Sequence, residues 1–150
     1  MEKEFINSIN TLIERDLNKL EEEINLYPTE ESIWLLAGEI KNSGGNLCLH
    51  LNGNLQHFIG ATLGESGYIR NRDAEFKLKN IPRQKLLEEI ENTKKIVVDT
   101  LEQVSKKELE KEYPIQIGGE TMTTEYLLVY LLKHFSYHLG QINYHRRIVK

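Results

Sequence analysis

From residue 3 to about residue 25, apolar side chains recur every three or four positions at Ile6, Ile9, Ile13, Leu17, Leu20 and Ile24, with Glu and Lys between them. That interval lays one apolar stripe along a helix. Pro28 interrupts the pattern, and Thr29 followed by Glu and Ser predicts the start of a short helix carrying Trp34, Leu35 and Leu36 across one end of the domain. "NSGG" at 42 to 45 marks a break or a helix start, and beyond it Leu47, His50, Leu51, Asn54, Phe58 and Ala61 follow a second stripe that turns His50 inward.

The stretch "GESGYIRNRDAEFKLKN" from Gly64 is polar and predicts an irregular connection. Pro82 then opens a third periodic segment through Leu86, Ile90, Val97, Leu101 and Val104. In the next connection, Gly118-Gly119 between short β-prone runs signals a small hairpin. From about Thr124 onward, Leu127, Leu131, Phe135, Leu139 and Ile142 mark a last helix in which only Gly140 is a weak helix former. Four long helices with irregular connections predict an all-α, up-and-down four-helix bundle, in which sites lie between facing helices. At 150 residues the chain is read as a single domain, 1–150.

Composition narrows the partners. The apolar share of 39% and charged share of 28% suit a soluble globular protein. A net charge of -4, with lysines mixed among glutamates, argues against nucleic-acid binding. No stretch approaches the roughly 18 apolar residues of a membrane span, and the N-terminus lacks a secretory pattern, so a cytoplasmic protein that binds no membrane is expected. Cys48 is the only cysteine. It excludes an intrachain disulfide and reads as a small packed hydrophobe.

The candidate chemistry lies with the histidines. "HFSYHLGQINYHRR", residues 134 to 147, holds three of the five. His134 and His138 stand four residues apart, so their rings leave one face of a helix within about 6 Å of each other. They share that face with Leu127 and Leu131 and point into the bundle, where neutral imidazoles need a hydrogen bond or a cation to offset desolvation. His50 occupies the inward stripe of the second helix and is the natural third ligand of an open His₃ site. HFSYH lacks the Glu of an HExxH protease, no Glu stands three residues before any histidine as a di-iron bundle requires, and CxxCH is absent. His57 and His145 continue the two stripes two turns further on and read as pocket or surface residues. Cys48, two residues before His50, faces the other way and is a poor co-ligand.

"NLCLHLNGNLQHFI", "RNRDAEF" and "HFSYHLGQINYHRR" occur in that order and together resemble the DinB-like superfamily of four-helix metal-dependent enzymes, in its branch with HLxGNL and HxxxHxGQI motifs. The similarity covers most of the chain. It implies a divalent ion, usually zinc or nickel, held by His50, His134 and His138, and a homodimer formed through bundle helices. It also implies a small-molecule substrate: relatives include transferases and isomerases that use low-molecular-weight thiols, alongside members described as hydrolases.

On this reading the ion activates a water or a thiol, and Asn54, His57 or Gln141 supplies polar contacts in the pocket. No carboxylate lies on the histidine stripes to act as a general base, which favours thiol transfer over hydrolysis. Arg70 and Arg72 either receive an anionic substrate group or brace the loop through ion pairs with Asp73 or Glu75. No residue is assigned a catalytic role beyond the ion's ligands. The alternatives are a non-catalytic metal-binding bundle and a plain dimerisation module with hydrogen-bonded histidines.

Overall fold

All six apolar positions that mark the first helix are buried along one face of α1 (Glu2–Leu26). The computed structural model describes residues 2–149. In it the other stripes become α2 (Gly44–Leu55), α4 (Arg83–Glu102) and α6 (Thr124–Ile148). α1 packs along α4 and α6, and α2 packs along the same two, so α1 stands opposite α2 in an all-α four-helix bundle. Leu17, Leu20, Leu51, Leu55, Leu86, Ile90 and Leu127 fill the space between the rods without exposure. Burying each such side chain stabilises by roughly 1.5–3 kcal/mol, so the periodicity that identifies the helices also holds them together. Among the described residues, no helix is long and apolar enough to cross a membrane.

The connections hold more structure than expected. Ser43 caps α2, its Oγ accepting from Asn46 N at 3.2 Å, so "NSGG" is a helix start. The rod of α2 continues into a π-helical turn, Gln56–Ala61, where Thr62 N donates to His57 O at 3.1 Å. The piece after Pro28 is a 3-10 turn, Glu31–Trp34, and Thr29 braces it by accepting from Ser32 N at 3.1 Å.

Two short helices arise where irregular chain was expected: α3 (Arg72–Lys77), capped by Asn71, and α5 (Lys106–Glu110), opened by a reciprocal Ser105–Glu108 capping box. The hairpin expected at Gly118-Gly119 is reduced to its turn. Both glycines have positive φ, and Ile117 and Glu120 exchange two 3.0 Å hydrogen bonds. Only one further isolated bridge, Glu112 with Thr123, follows it.

Two buried polar clusters tie α6 to the end of α1. His145, expected in a pocket or on the surface, lines the cleft that also borders His138, but is only 2% exposed. Its Nε2 donates to Leu35 O at 2.7 Å, which leaves Nδ1 to accept from the Tyr27 hydroxyl at 2.6 Å. Gly44 packs against that hydroxyl so closely that a Cβ there would overlap it. Burial holds the His145 pKa below the ordinary value, although the bond to Leu35 opposes the shift. Beside it, burial would raise the Glu23 pKa, but hydrogen bonds from Arg146 Nε at 2.6 Å and Asn143 Nδ2 at 2.8 Å outweigh that and lower it.

Tyr27→Phe should lower stability by about 1–2 kcal/mol in urea unfolding, because it strips a buried acceptor of its donor. The unfolded chain takes a proton on His145 more readily than the folded one does. Its contribution is therefore present above the ordinary histidine value of 6.5 and is lost as the pH falls below it. A Tyr27→Phe variant as stable as the parent would show that the latch contributes nothing.

Candidate metal centre

α2 and α6 bring His50, His134 and His138 together. One ligand nitrogen from each lies within 4.8 Å of the others. The ring centroids are 5.0, 5.2 and 4.6 Å apart for the pairs 50–134, 50–138 and 134–138. His50 Nε2 and His134 Nε2 face each other at 3.2 Å. Two imidazole nitrogens about 2.0–2.1 Å from a shared tetrahedral ion sit roughly 3.3 Å apart, so this separation suits co-ligands.

The surroundings set two of the three tautomers. His50 Nδ1 lies 3.1 Å from Glu75 Oε1, and Arg70 donates to the same carboxylate from Nε and Nη2, both at 2.9 Å. Arg70 Nη2 also lies 3.3 Å from His50 Nδ1. Since guanidinium only donates, these are two donors converging on one carboxylate, with Nδ1 carrying its proton toward Glu75. The Nε2 lone pair of His50 is then presented to the cluster. His138 Nδ1 likewise donates to Gln141 Oε1 at 2.6 Å, leaving its Nε2 free. His134 Nδ1 is buried without a protein partner, so only what faces Nε2 constrains that ring.

Glu75 is placed by positions of α2 other than His50. Gly53 leaves room for its carboxylate, which a Cβ would overlap. Asn46 Nδ2 donates to the backbone carbonyls of Glu75 at 2.9 Å and Leu78 at 2.8 Å, pinning both ends of the last turn of α3. Asn46, His50 and Gly53, at four- and three-residue spacing, therefore form one face of α2 that receives α3. Burial would raise the Glu75 pKa, but the bonds from His50 and Arg70 reverse that and keep it below the usual carboxylate value.

The cluster favours neutral imidazole. Burial lowers the His134 pKa to about 4, helped by repulsion from His138, His50, Arg70 and Arg72. Burial lowers that of His138 too, partly opposed by its bond to Gln141. Neutral His134 and His138 offer lone pairs rather than protons, as coordination requires. With His50 Nε2 they place three nitrogens around one point, a set that fits a divalent ion.

The other residues picked from the sequence fall around this centre in different ways. Asn54, one turn beyond His50, is buried in α2. His57 lies in the π-helical turn, half-buried, its pKa lowered by burial and by Arg70. Gln141 holds His138 and also lines the cleft beside it. Arg70 is a bracing residue paired with Glu75. Arg72 is exposed, its guanidinium 5.2 Å from the centre of the Phe76 ring, which in turn lies 4.8 Å from that of His50. Cys48 is fully buried and its thiol pKa is pushed up by burial, which makes it inert.

Neither histidine stripe carries a carboxylate at the centre, but Glu75, unassigned from the sequence except as an ion-pair partner for Arg70 or Arg72, reaches His50 Nδ1 from α3. The available signal was the Asn71 cap, followed three residues later by Ala-Glu-Phe within "RNRDAEF", which reads as a short helix start.

The comparisons agree with a family whose activity is unassigned. A search of curated proteins finds no match. The family model DUF1572, described as a protein of unknown function, matches residues 1–150, and the chain belongs to this family.

Proposed function

We propose that this chain is a divalent-metal-dependent enzyme of DinB-like type, held by His50, His134 and His138 around zinc or nickel, that transfers a low-molecular-weight thiol to a small electrophile. The observation that carries the reading is the convergence of three imidazoles from α2 and α6, two of them with Nδ1 already committed to Glu75 and Gln141. When bound, such an ion lowers the pKa of a thiol or water at its open position. The motifs shared with the DinB-like superfamily support the same ligands, and the superfamily's homodimers are the assembly we expect. A cytoplasmic setting, where small thiols stay reduced, suits the reaction.

Transfer is preferred over hydrolysis because no free base stands at the centre. Both oxygens of Glu75 are engaged by Arg70 and His50, and its lowered pKa makes it a weak proton acceptor. Glu89 is raised to about 7 by burial and by Glu75, but among the described residues the hydrogen bonds of the three imidazoles go to Glu75, Gln141 and one another rather than to it. A thiol needs less help, since its own pKa lies near 8.5. Arg72 is the exposed cation available to an anionic substrate group, and Asn54, His57 and Gln141 supply polar contacts.

Untagged protein should hold about one ion per chain by elemental analysis. His50→Ala and His138→Ala should lose it, whereas His57→Ala should keep it. His145 is a poor control because it latches the core. Equal retention in all variants would contradict the ligand assignment. Turnover with thiols and electrophiles, against ester, amide and lactone panels, separates transfer from hydrolysis.

Glu75→Gln and Gly53→Ala, one weakening the carboxylate and the other displacing it, should each reduce ion affinity about 10–100-fold with the helical content unchanged. Parental affinity in both would show that Glu75 does not orient His50.

A further inference from the structure

α6 carries two stripes of large side chains, and the bundle uses one of them. Leu127, Leu131, Phe135 and Ile142 face the core. On the outer side Tyr126, Tyr130, Lys133, Tyr137, Gly140 and Tyr144 follow one another in alternating steps of four and three residues, and Ile148 continues the line. All of these are exposed. Such alternation is the seam of a coiled coil, whose natural occupant is another helix.

The line reads alike from either end. Tyr130 and Tyr144 stand seven residues to each side of Tyr137, and Tyr126 and Ile148 stand eleven to each side. A stripe that matches itself when reversed meets an identical copy across a twofold axis, with the two helices antiparallel. Gly140 points the same way. It weakens the middle of a helix relative to alanine, yet a Cβ there would meet nothing within 4 Å among the described residues. The chain itself makes no use of the space that this glycine leaves.

We propose that α6 pairs with α6 of a second copy of this chain, antiparallel, about a twofold axis at Tyr137. This takes up the homodimer of the reading above but not its ion. Tyr137 then packs on the partner's Tyr137, Tyr130 on the partner's Tyr144, and Tyr126 on the partner's Ile148. The stem of Lys133 crosses the partner's Gly140. Glu125 and Arg147, exposed on one flank of the line at nearly equal distances from its centre, form an ion pair at each end. A parallel pair would instead set Lys133 against Lys133 and Arg147 against Arg147, like charges that oppose association.

At about 150–250 Å² per aromatic side chain, exposures of 38–65% along the line amount to roughly 500 Å² per copy, so the pair removes on the order of 1,000 Å² from water, the size at which specific association begins. The pairing also changes the centre's surroundings. A cleft of about 260 Å³ at His134 is walled in one chain only by α6, through Tyr130, Lys133 and Tyr137. The partner's Tyr144, set against Tyr130, supplies its missing wall.

The test is sedimentation velocity of the full chain over a range of concentrations, with ion content measured on the same samples. The parent should dimerise, and Tyr137→Lys should raise the dimer Kd about a hundredfold with helical content unchanged, since that side chain is 65% exposed. Gly140→Leu should raise it about tenfold. Glu125→Arg and Arg147→Glu should each weaken the dimer, and the two together in one chain should restore the parental Kd within about threefold. A short bis-maleimide should join Tyr137→Cys chains to one another, but should join Tyr126→Cys chains only to Ile148→Cys chains; Cys48, fully buried, stays silent. A chain monomeric at every concentration, a dimer indifferent to Tyr137→Lys, or self-linking of Tyr126→Cys would overturn the pairing. A monomer that retains its ion ends the pairing and leaves the metal centre standing, whereas a Tyr137-dependent dimer that retains no ion supports the pairing and ends the metal reading.

Discussion

The hydrogen bond between His50 Nδ1 and the Glu75 carboxylate is the contact on which the centre depends. A histidine buried at a helix interface has two ring nitrogens to satisfy, and which of them bears the proton decides what the other offers. By accepting a hydrogen bond from Nδ1–H on one side, Glu75 leaves the opposite nitrogen as a lone pair aimed at His134. Arg70 neutralises the carboxylate from behind, so the acid remains ionised despite its burial. Without this pair, the apolar core would hold an imidazole free to rotate and to change tautomer.

The bundle keeps two kinds of interaction apart. Apolar stripes supply cohesion between the four long helices, whereas buried polar groups sit where particular elements must meet in one register. Tyr27 with His145 and Glu23 with Arg146 set the end of α1 against α6. Gln56 Nε2 donates to Thr93 Oγ1 at 2.9 Å, setting α2 against α4. Asn46 and Gly53 set α2 against α3. A polar group unmatched inside the core costs more than a matched one contributes, so these pairs select among packings that apolar contacts alone would allow.

What was legible in the sequence follows from what is local. The four long helices, the inward turn of His50 and the convergence of His134 with His138 all come from spacing along one rod, and the structure has them. The packed state of Cys48 was legible for the same reason. Less legible was everything that depends on a partner from elsewhere in the chain. Glu75 lies in a polar stretch whose periodicity is too short to read, and its importance comes from Gly53 and His50, more than twenty positions earlier. His145 follows the same stripe as the site histidines, and only the fold shows that Tyr27 and Leu35 take both of its nitrogens. Gly118-Gly119 has the turn chemistry of a hairpin, but its flanking chain pairs at only one further bridge.

The brevity of α3 has a consequence for how the centre is held together. Six residues cannot sustain a helix unaided, because nucleation is costly and too few turns follow to offset it. This segment is ordered instead by Asn46 holding its carbonyls and by the Arg70–Glu75–His50 contacts. The partner that orients His50 is thus carried on a segment whose order depends on its contacts with α2. Whatever tightens His50 against Glu75 therefore also tightens α3 against the bundle.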